Sequence, residues 1–251
     1  MSAPSERGAR FERPRQFVRN RLSPQKTLGL HVTIGVLVMV LGAWSFSEIA
    51  EEIGPATPQV AFDQQLAGWF NRQAHPTLTT AAQAISLLGS VAFLSAISVC
   101  LGIYFAVRSR WNRFVALALT MLGGSLLNIV LKHFFQRQRP VLENPLVTLT
   151  SFAFPSGHTM GATLLYGILT LIALRFVKTP WQRVALIVTA ISLIALIGLT
   201  RIYLGAHFLT DVLAAFAIGS AWLAFAWTTA ETFRMRRQNA ARQSEASRTL
   251  L

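Results

Sequence analysis

Acidic residues are scarce in this chain. Among 251 residues, 10 are Asp or Glu against 23 Lys or Arg, and the charged share of 13% is about half that of ordinary soluble proteins. So little charge excludes a globule wetted by water on every side. Cysteine is scarcer still: Cys100 stands alone, which excludes an intrachain disulfide and a cysteine-rich metal site and leaves the redox compartment unassigned. Inside an apolar block it reads as a small packing residue. Internal repeats and low-complexity tracts are also missing. The formal net charge of +13 would suit a nucleic-acid partner, but the cations flank long apolar stretches, and no nucleic acid is expected.

What is abundant is hydrocarbon. Apolar residues make up 53% of the chain, and the mean hydropathy is +0.46. They fall into nearly uncharged blocks at about 27–47, 83–107, 112–131, 159–176, 184–200 and 208–230. A helix needs roughly 20 residues to cross about 30 Å of hydrocarbon. The pattern predicts an all-α bundle of six transmembrane helices over 27–230, between a basic N-terminal tail (1–26) and a basic C-terminal tail (231–251). The first block is too long for the apolar part of a signal peptide and is expected to stay as an anchor.

Short cytoplasmic loops are enriched in Lys and Arg. Seven cations precede the first block (Arg7, Arg10, Arg13, Arg15, Arg19, Arg21 and Lys26), and Arg108, Arg110 and Arg113 separate the second and third. Arg175, Lys178 and Arg183 separate the fourth and fifth, and Arg234, Arg236, Arg237, Arg242 and Arg248 follow the sixth. Eighteen of the 23 cations thus lie on one face, which places both termini in the cytoplasm. Their expected roles are to set topology and to touch anionic lipid. The other face keeps only Arg72, Lys132, Arg137, Arg139 and Arg201, which need another reason to be there. The long connection at about 48–82 holds Phe62, Leu66, Trp69 and Phe70 at helical spacing. Two readings of it stay open: an amphipathic helix on the bilayer surface bordering a lipid entry path, or a packed loop.

Three clusters lie at the external ends of the blocks. The first closes the third block: Lys132 and Arg139 are seven residues apart, so a continuing helix would turn both toward one point before Pro140 ends it. Arg137, between them, is expected to be a solvated loop charge, with a lipid head group as the alternative contact. The second is Pro155-Ser156-Gly157-His158, where Ser156 is a natural N-cap and Gly157 lets an anion approach the free N–H groups of the helix start. The third runs from Thr200-Arg201 through His207 to Asp211. His207 and Asp211, four apart, are expected on one helical face, with the carboxylate holding one imidazole nitrogen and leaving the other as nucleophile. Asp211 is also the one charge well inside the sixth block, where an ionisable group is costly enough to imply function. Of the other histidines, His31 and His75 have no argued role, and His133 points about 100° away from Lys132.

Read together and in order, these clusters resemble the three signature motifs of the type 2 phosphatidic acid phosphatase (PAP2) superfamily, which includes vanadium-dependent haloperoxidases and bacterial acid phosphatases. The matches are Lys132, Arg139 and Pro140; Pro155, Ser156, Gly157 and His158; and Arg201, His207 and Asp211. Thr200 stands where the family's third motif usually begins with Ser, and a hydroxyl is kept.

The resemblance implies a lipid phosphatase of a bacterial inner membrane, with its site at the external, periplasmic face. His207 would attack phosphorus to form a phosphohistidine while Asp211 fixes its tautomer. His158 would protonate the leaving oxygen and then activate water. Lys132, Arg139, Arg201, the Ser156 hydroxyl and the Gly157 amide would bind the phosphate oxygens. Phosphoryl transfer is mainly positioning and charge stabilisation, so three fixed cations predict a reaction without metal or cofactor and with a bell-shaped pH profile. The expected partner is a lipid mono- or diphosphate in the bilayer: undecaprenyl pyrophosphate first, then phosphatidylglycerol phosphate, phosphatidic acid or lipid A phosphates. A lipid-to-lipid phosphotransferase, or a non-catalytic binder or transporter, are the alternatives.

Overall fold

The computed structural model describes residues 27–54, 57–142, 145–147 and 149–249, with side chains over residues 32–240 of these. The expected basic tail 1–26 lies outside the described residues, as do the side chains of Arg242 and Arg248. Among the described residues every regular element is a helix. In chain order these are α1 (Thr27–Glu51), α2 (Pro58–Arg72), α3 (Pro76–Leu87), α4 (Val91–Val107) and α5 (Trp111–Ala118), followed by a π-helical turn (Leu119–Gly123). Then come α6 (Gly124–Phe135), α7 (Gly157–Ala173), α8 (Pro180–Tyr203) and α9 (Leu209–Thr249).

Five helical runs are long and apolar enough to cross a membrane: Val32–Glu51, Pro76–Val107, Trp111–Phe135, Pro180–Tyr203 and Leu209–Ala240. The fourth expected span departs from this pattern, since α7 has only 17 residues. It lies among the other helices, with Ala162, Leu164, Leu165 and Ile168 essentially inaccessible, so it need not match the lipid thickness as an outer helix must. Large apolar side chains such as Leu37, Trp44, Val99, Ile103, Leu126 and Val188 are instead exposed on the outer helices, as a lipid-facing surface requires. Cys100, expected to be packed, is exposed on α4.

Local chemistry fixes the boundaries. Pro58, Pro76 and Pro180 each open a helix at a position where no intrahelical N–H is needed. Thr57 caps α2 by accepting from Val60 N at 3.2 Å, and His75, given no role from sequence, caps α3 by accepting from Thr77 N at 3.4 Å. The second run therefore begins at Pro76, seven residues earlier than the apolar block. Within the third run the π turn takes in an extra residue, and its loosened carbonyls find side-chain donors: Thr120 Oγ1 donates to Ala116 O (2.7 Å) and Trp222 Nε1 to Leu119 O (3.2 Å). One added residue turns everything after it by about 100° around the axis, which sets the face that α6 presents. The last helix does not stop at 230, as its apolar block does, but continues to Thr249. Along it α1 packs closely: a Cβ on Gly42 would stand 2.7 Å from Ala217 O, so only glycine allows the approach.

Candidate active site

The segment that ends α8 and starts α9 is a tight turn made possible by Gly205, whose φ of +67° lies in the left-handed region. Ala206 N and His207 N both donate to Arg201 O, at 3.0 and 3.2 Å, which folds the chain back on the helix end. Asp211 then caps α9 by accepting from Phe208 N through Oδ2 at 2.8 Å. His207 precedes the first residue of α9, so the expectation of a shared helical face is corrected. The turn and the cap, not the helical repeat, bring His207 Nδ1 to 3.5 Å from Asp211 Oδ2. That separation leaves Nδ1 buried without a formed hydrogen bond, so a small ring rotation would complete one. Nε2 lies 3.5 Å from Arg139 Nη1. A guanidinium can only donate, so the nitrogen facing it carries the lone pair and the proton sits on Nδ1, toward Asp211. Burial pushes His207 down to about 4; the facing carboxylate of Asp211 opposes this, while Arg139 and Lys132 add to it. At neutral pH the imidazole is therefore uncharged, with its lone pair directed at the cations.

The first cluster converges by a different route from the one its spacing suggested. The helix does not continue to Arg139: α6 ends at Phe135, and Gln136 adopts a left-handed conformation (φ +46°). The loop then brings Lys132 Nζ and Arg139 Nη2 to a common acceptor, Phe152 O, the latter at 3.4 Å. Arg139 also donates to Ser151 O (2.7 Å), Ser151 Oγ (3.0 Å) and Ala206 O. Burial lowers its pKa, with Asp211 pulling the other way. These acceptors are neutral, so phosphate oxygens arriving here would exchange weak partners for charge-assisted ones. Phe154, fully buried between Phe135 and Phe46 at ring-centroid distances of 4.9 and 5.5 Å, holds this loop in place.

Arg201 is buried and donates from Nη1 to Ser86 Oγ at 2.6 Å, a partner the sequence did not reveal. Its Nε is buried with no partner, an unused donor inside the cluster. Thr200, in contrast, turns its hydroxyl back to Ile197 O at 2.6 Å. In the second cluster the expected N-cap is present. Ser156 caps α7, its Oγ accepting from Thr159 N at 3.5 Å, while Ser156 N donates to Asp211 O at 3.0 Å and ties two clusters together. A Cβ on Gly157 would lie 3.9 Å from Lys132 Cε, so the helix start opens beside the lysine. Half-buried His158 has Arg201, Arg139 and Lys132 as cationic neighbours, with His207 beside them. All eight residues expected at the site thus gather at one end of the bundle, where the N-terminal dipole of α7 adds to three cations.

Two further residues belong to this cluster. Arg137 is not a solvated loop charge: its side chain is only 9% exposed, its guanidinium 2.6 Å from Asp211 Oδ1 and 2.9 Å from Asp63 Oδ2, and 4.5 Å from the Phe208 ring centroid. Asp63, buried on α2, also accepts from Thr210 N at 3.3 Å and from the Thr210 hydroxyl. Arg137 thus clamps the carboxylate that faces His207 and links it to α2. The lone carboxylate of an amphipathic segment was the available signal for Asp63, and the unexplained external charge was the signal for Arg137. His133 takes no part, since its Nδ1 turns back to Ile129 O at 2.8 Å.

The comparisons with known proteins identify a family. Residues 113–235, which hold all three clusters, match the model of the PAP2 superfamily. Phosphatidylglycerophosphatase B of Bacillus subtilis (strain 168) is 36% identical over 148 residues, which cover 57% of this chain and 71% of that protein. Among solved structures, the transmembrane PAP2-type phosphatidylglycerolphosphate phosphatase from Bacillus subtilis superposes with a TM-score of 0.69 at 30% identity, covering 77% of this chain and 96% of that one. LpxE of Aquifex aeolicus superposes with a TM-score of 0.50 at 28% identity, over 65% and 93% of the two chains. The residues that gather at one end of the helices are those the sequence motifs single out, and the chain belongs to the PAP2 superfamily.

Proposed function

We propose that this protein hydrolyses a lipid mono- or diphosphate at the external face of a bacterial inner membrane, through a phosphohistidine on His207. The observation that carries the reading is the placement of His207, with Nδ1 3.5 Å from Asp211 Oδ2 and Nε2 3.5 Å from the donor-only Arg139 Nη1. Nε2 would attack phosphorus as the bond to the lipid oxygen breaks, with His158 giving its proton to that oxygen. His158 would then take a proton from water, whose oxygen displaces Nε2 and releases inorganic phosphate. Lys132, Arg139 and Arg201, with the Ser156 hydroxyl and the Gly157 amide, would hold the non-bridging oxygens and carry the growing charge. Three such cations supply what a metal would, so the reaction is proposed to be metal-independent.

The same reading takes residues 27–230 as the catalytic domain, with α7 as a sixth, enclosed span and the two basic termini in the cytoplasm. Phosphatidylglycerol phosphate becomes the first substrate to test, because the Bacillus subtilis sequence and structure matches are both named for it; undecaprenyl pyrophosphate, phosphatidic acid and lipid A phosphates complete the panel. The experiment measures inorganic phosphate released by detergent-purified protein in EDTA, for wild type and His207→Ala. Release from a lipid of the panel, abolished by the substitution, is the expected result. Release that requires added magnesium, or that survives in His207→Ala, would overturn the mechanism. Transfer of phosphate only to an added acceptor lipid would make the enzyme a phosphotransferase.

A further inference from the structure

The end of the bundle opposite the catalytic cluster is as strongly built as the site itself. A cavity of about 460 Å³ lies there, lined by Arg110, Arg113, Arg175, Arg234 and Arg237, with Glu231 as its one carboxylate. Glu231 is 7% exposed and fully engaged: Arg175 Nη2 donates to Oε2, and Arg234 donates from Nε to both oxygens at 3.1 Å and from Nη2 to Oε1. Among the described residues no carboxylate lies within ion-pair distance of Arg110, Arg113 or Arg237. Five guanidiniums thus converge on one cavity with one anion to offset them, and the potential inside is strongly positive.

We infer that this cavity is a second phosphate-binding site, which takes the head-group phosphate of an anionic phospholipid on the face opposite the catalytic cluster. Its position supports a lipid occupant. The third run joins the two ends with 25 residues, or about 37 Å of helix, so a bundle with catalytic residues at one membrane surface presents this cavity at the other. Trp111 and Trp227 line it, and the Arg175 guanidinium lies 4.7 Å from the Trp227 ring centroid, an aromatic level suited to lipid head groups. Arginine presents paired N–H donors that match two phosphate oxygens at once. Cations that served topology alone would need neither a buried glutamate nor ring contacts to fix their guanidiniums.

The test is a titration of the full chain in neutral detergent, followed by native mass spectrometry, with phosphatidylglycerol, with phosphatidylcholine and, separately, with glycerol 3-phosphate. Wild type is compared with the double variant Arg110→Gln/Arg113→Gln and with Glu231→Gln, which frees two guanidiniums. The expected result is phosphatidylglycerol binding at least fivefold weaker in the double variant and at least threefold tighter in Glu231→Gln, with phosphatidylcholine unchanged. A cooperative thermal unfolding transition and a single elution peak matching wild type confirm that each variant is folded. Phosphatidylglycerol alone showing this dependence assigns a lipid head group. The same dependence for glycerol 3-phosphate keeps the site but assigns it to soluble phosphoesters, which overturns the lipid occupant. Phosphatidylglycerol binding that is unchanged in the double variant and not raised in Glu231→Gln overturns the site, and Glu231→Gln alone decides if the double variant does not fold.

Discussion

Removing the guanidinium of Arg137 by Arg137→Gln should damage both the fold and the reaction. Arg137 is the cation shared by Asp63 and Asp211, whose side chains are fully shielded from solvent. The substitution leaves two buried carboxylates without a counter-charge, and breaking a buried pair from one side costs about 3–5 kcal/mol. At roughly 2–4 °C per kcal/mol for a domain of this size, the melting temperature should fall by about 6–20 °C. The lost clamp also frees Asp211, and with it His207; displacement of a reacting group by about 1 Å lowers turnover by as much as ~100-fold. Thermal unfolding in detergent and phosphate release from a lipid phosphomonoester measure the two effects. Asp63→Asn supplies the control, because it removes one of the two carboxylates and leaves Arg137 and Asp211 as a neutral pair. In the double variant Asp63→Asn/Arg137→Gln the loss should be smaller than the sum of the single losses by about 1–3 kcal/mol. Arg137→Gln melting within about 2 °C of wild type, with unchanged turnover, would refute the clamp.

Because burial sets His207 at about 4, the acid limb of kcat/KM should lie near pH 4 and fall tenfold per unit below it, whereas an acid limb near 6.5 would mean that the imidazole is not buried as described. The sign for stability is the same: an unfolded histidine binds its proton near pH 6.5, so about 3 kcal/mol of stability, fully present above 6.5, is lost as the pH falls to 4, which thermal unfolding across that range reads. Gly157→Ala should melt like wild type, since the added methyl meets nothing closer than Asn128 Oδ1 at 3.4 Å, yet it should raise KM or lower kcat about tenfold by filling the oxyanion approach beside Lys132; full activity would remove Gly157 from the phosphate site. Gly205→Ala should do the reverse, losing at least ~1–2 kcal/mol in thermal unfolding, because φ is +67° and the new Cβ would stand 2.2 Å from Leu142 Cδ1.

The residues proposed for the catalytic end could be picked out from the chain because the chemistry they would perform restricts them. A phosphate site needs cations, a helix start and a histidine held by a carboxylate, and each of these is local: Ser156 caps the helix it precedes, and Asp211 caps the helix that follows His207. The routes by which they meet could not be read. Lys132 and Arg139 were expected to align through a continuing helix, and a left-handed Gln136 and a shared carbonyl at Phe152 bring them together instead. The partners of Asp211 were hidden for a related reason. Arg137 is 74 residues from Asp211 on one side and 74 from Asp63 on the other, and no periodicity records contacts of that kind.

The sequence by itself determined the solvent this protein folds in, the apolar runs that cross it and the chemistry at the helix ends. Hydrophobicity, capping and charge act over one or two turns and are written in adjacent residues. The tertiary structure decided which helix is enclosed, how α2 and Arg137 hold the carboxylate behind His207, and where five arginines converge around Glu231. A buried ion pair or a cavity exists only when distant helices pack, and its energy depends on the water that packing removes.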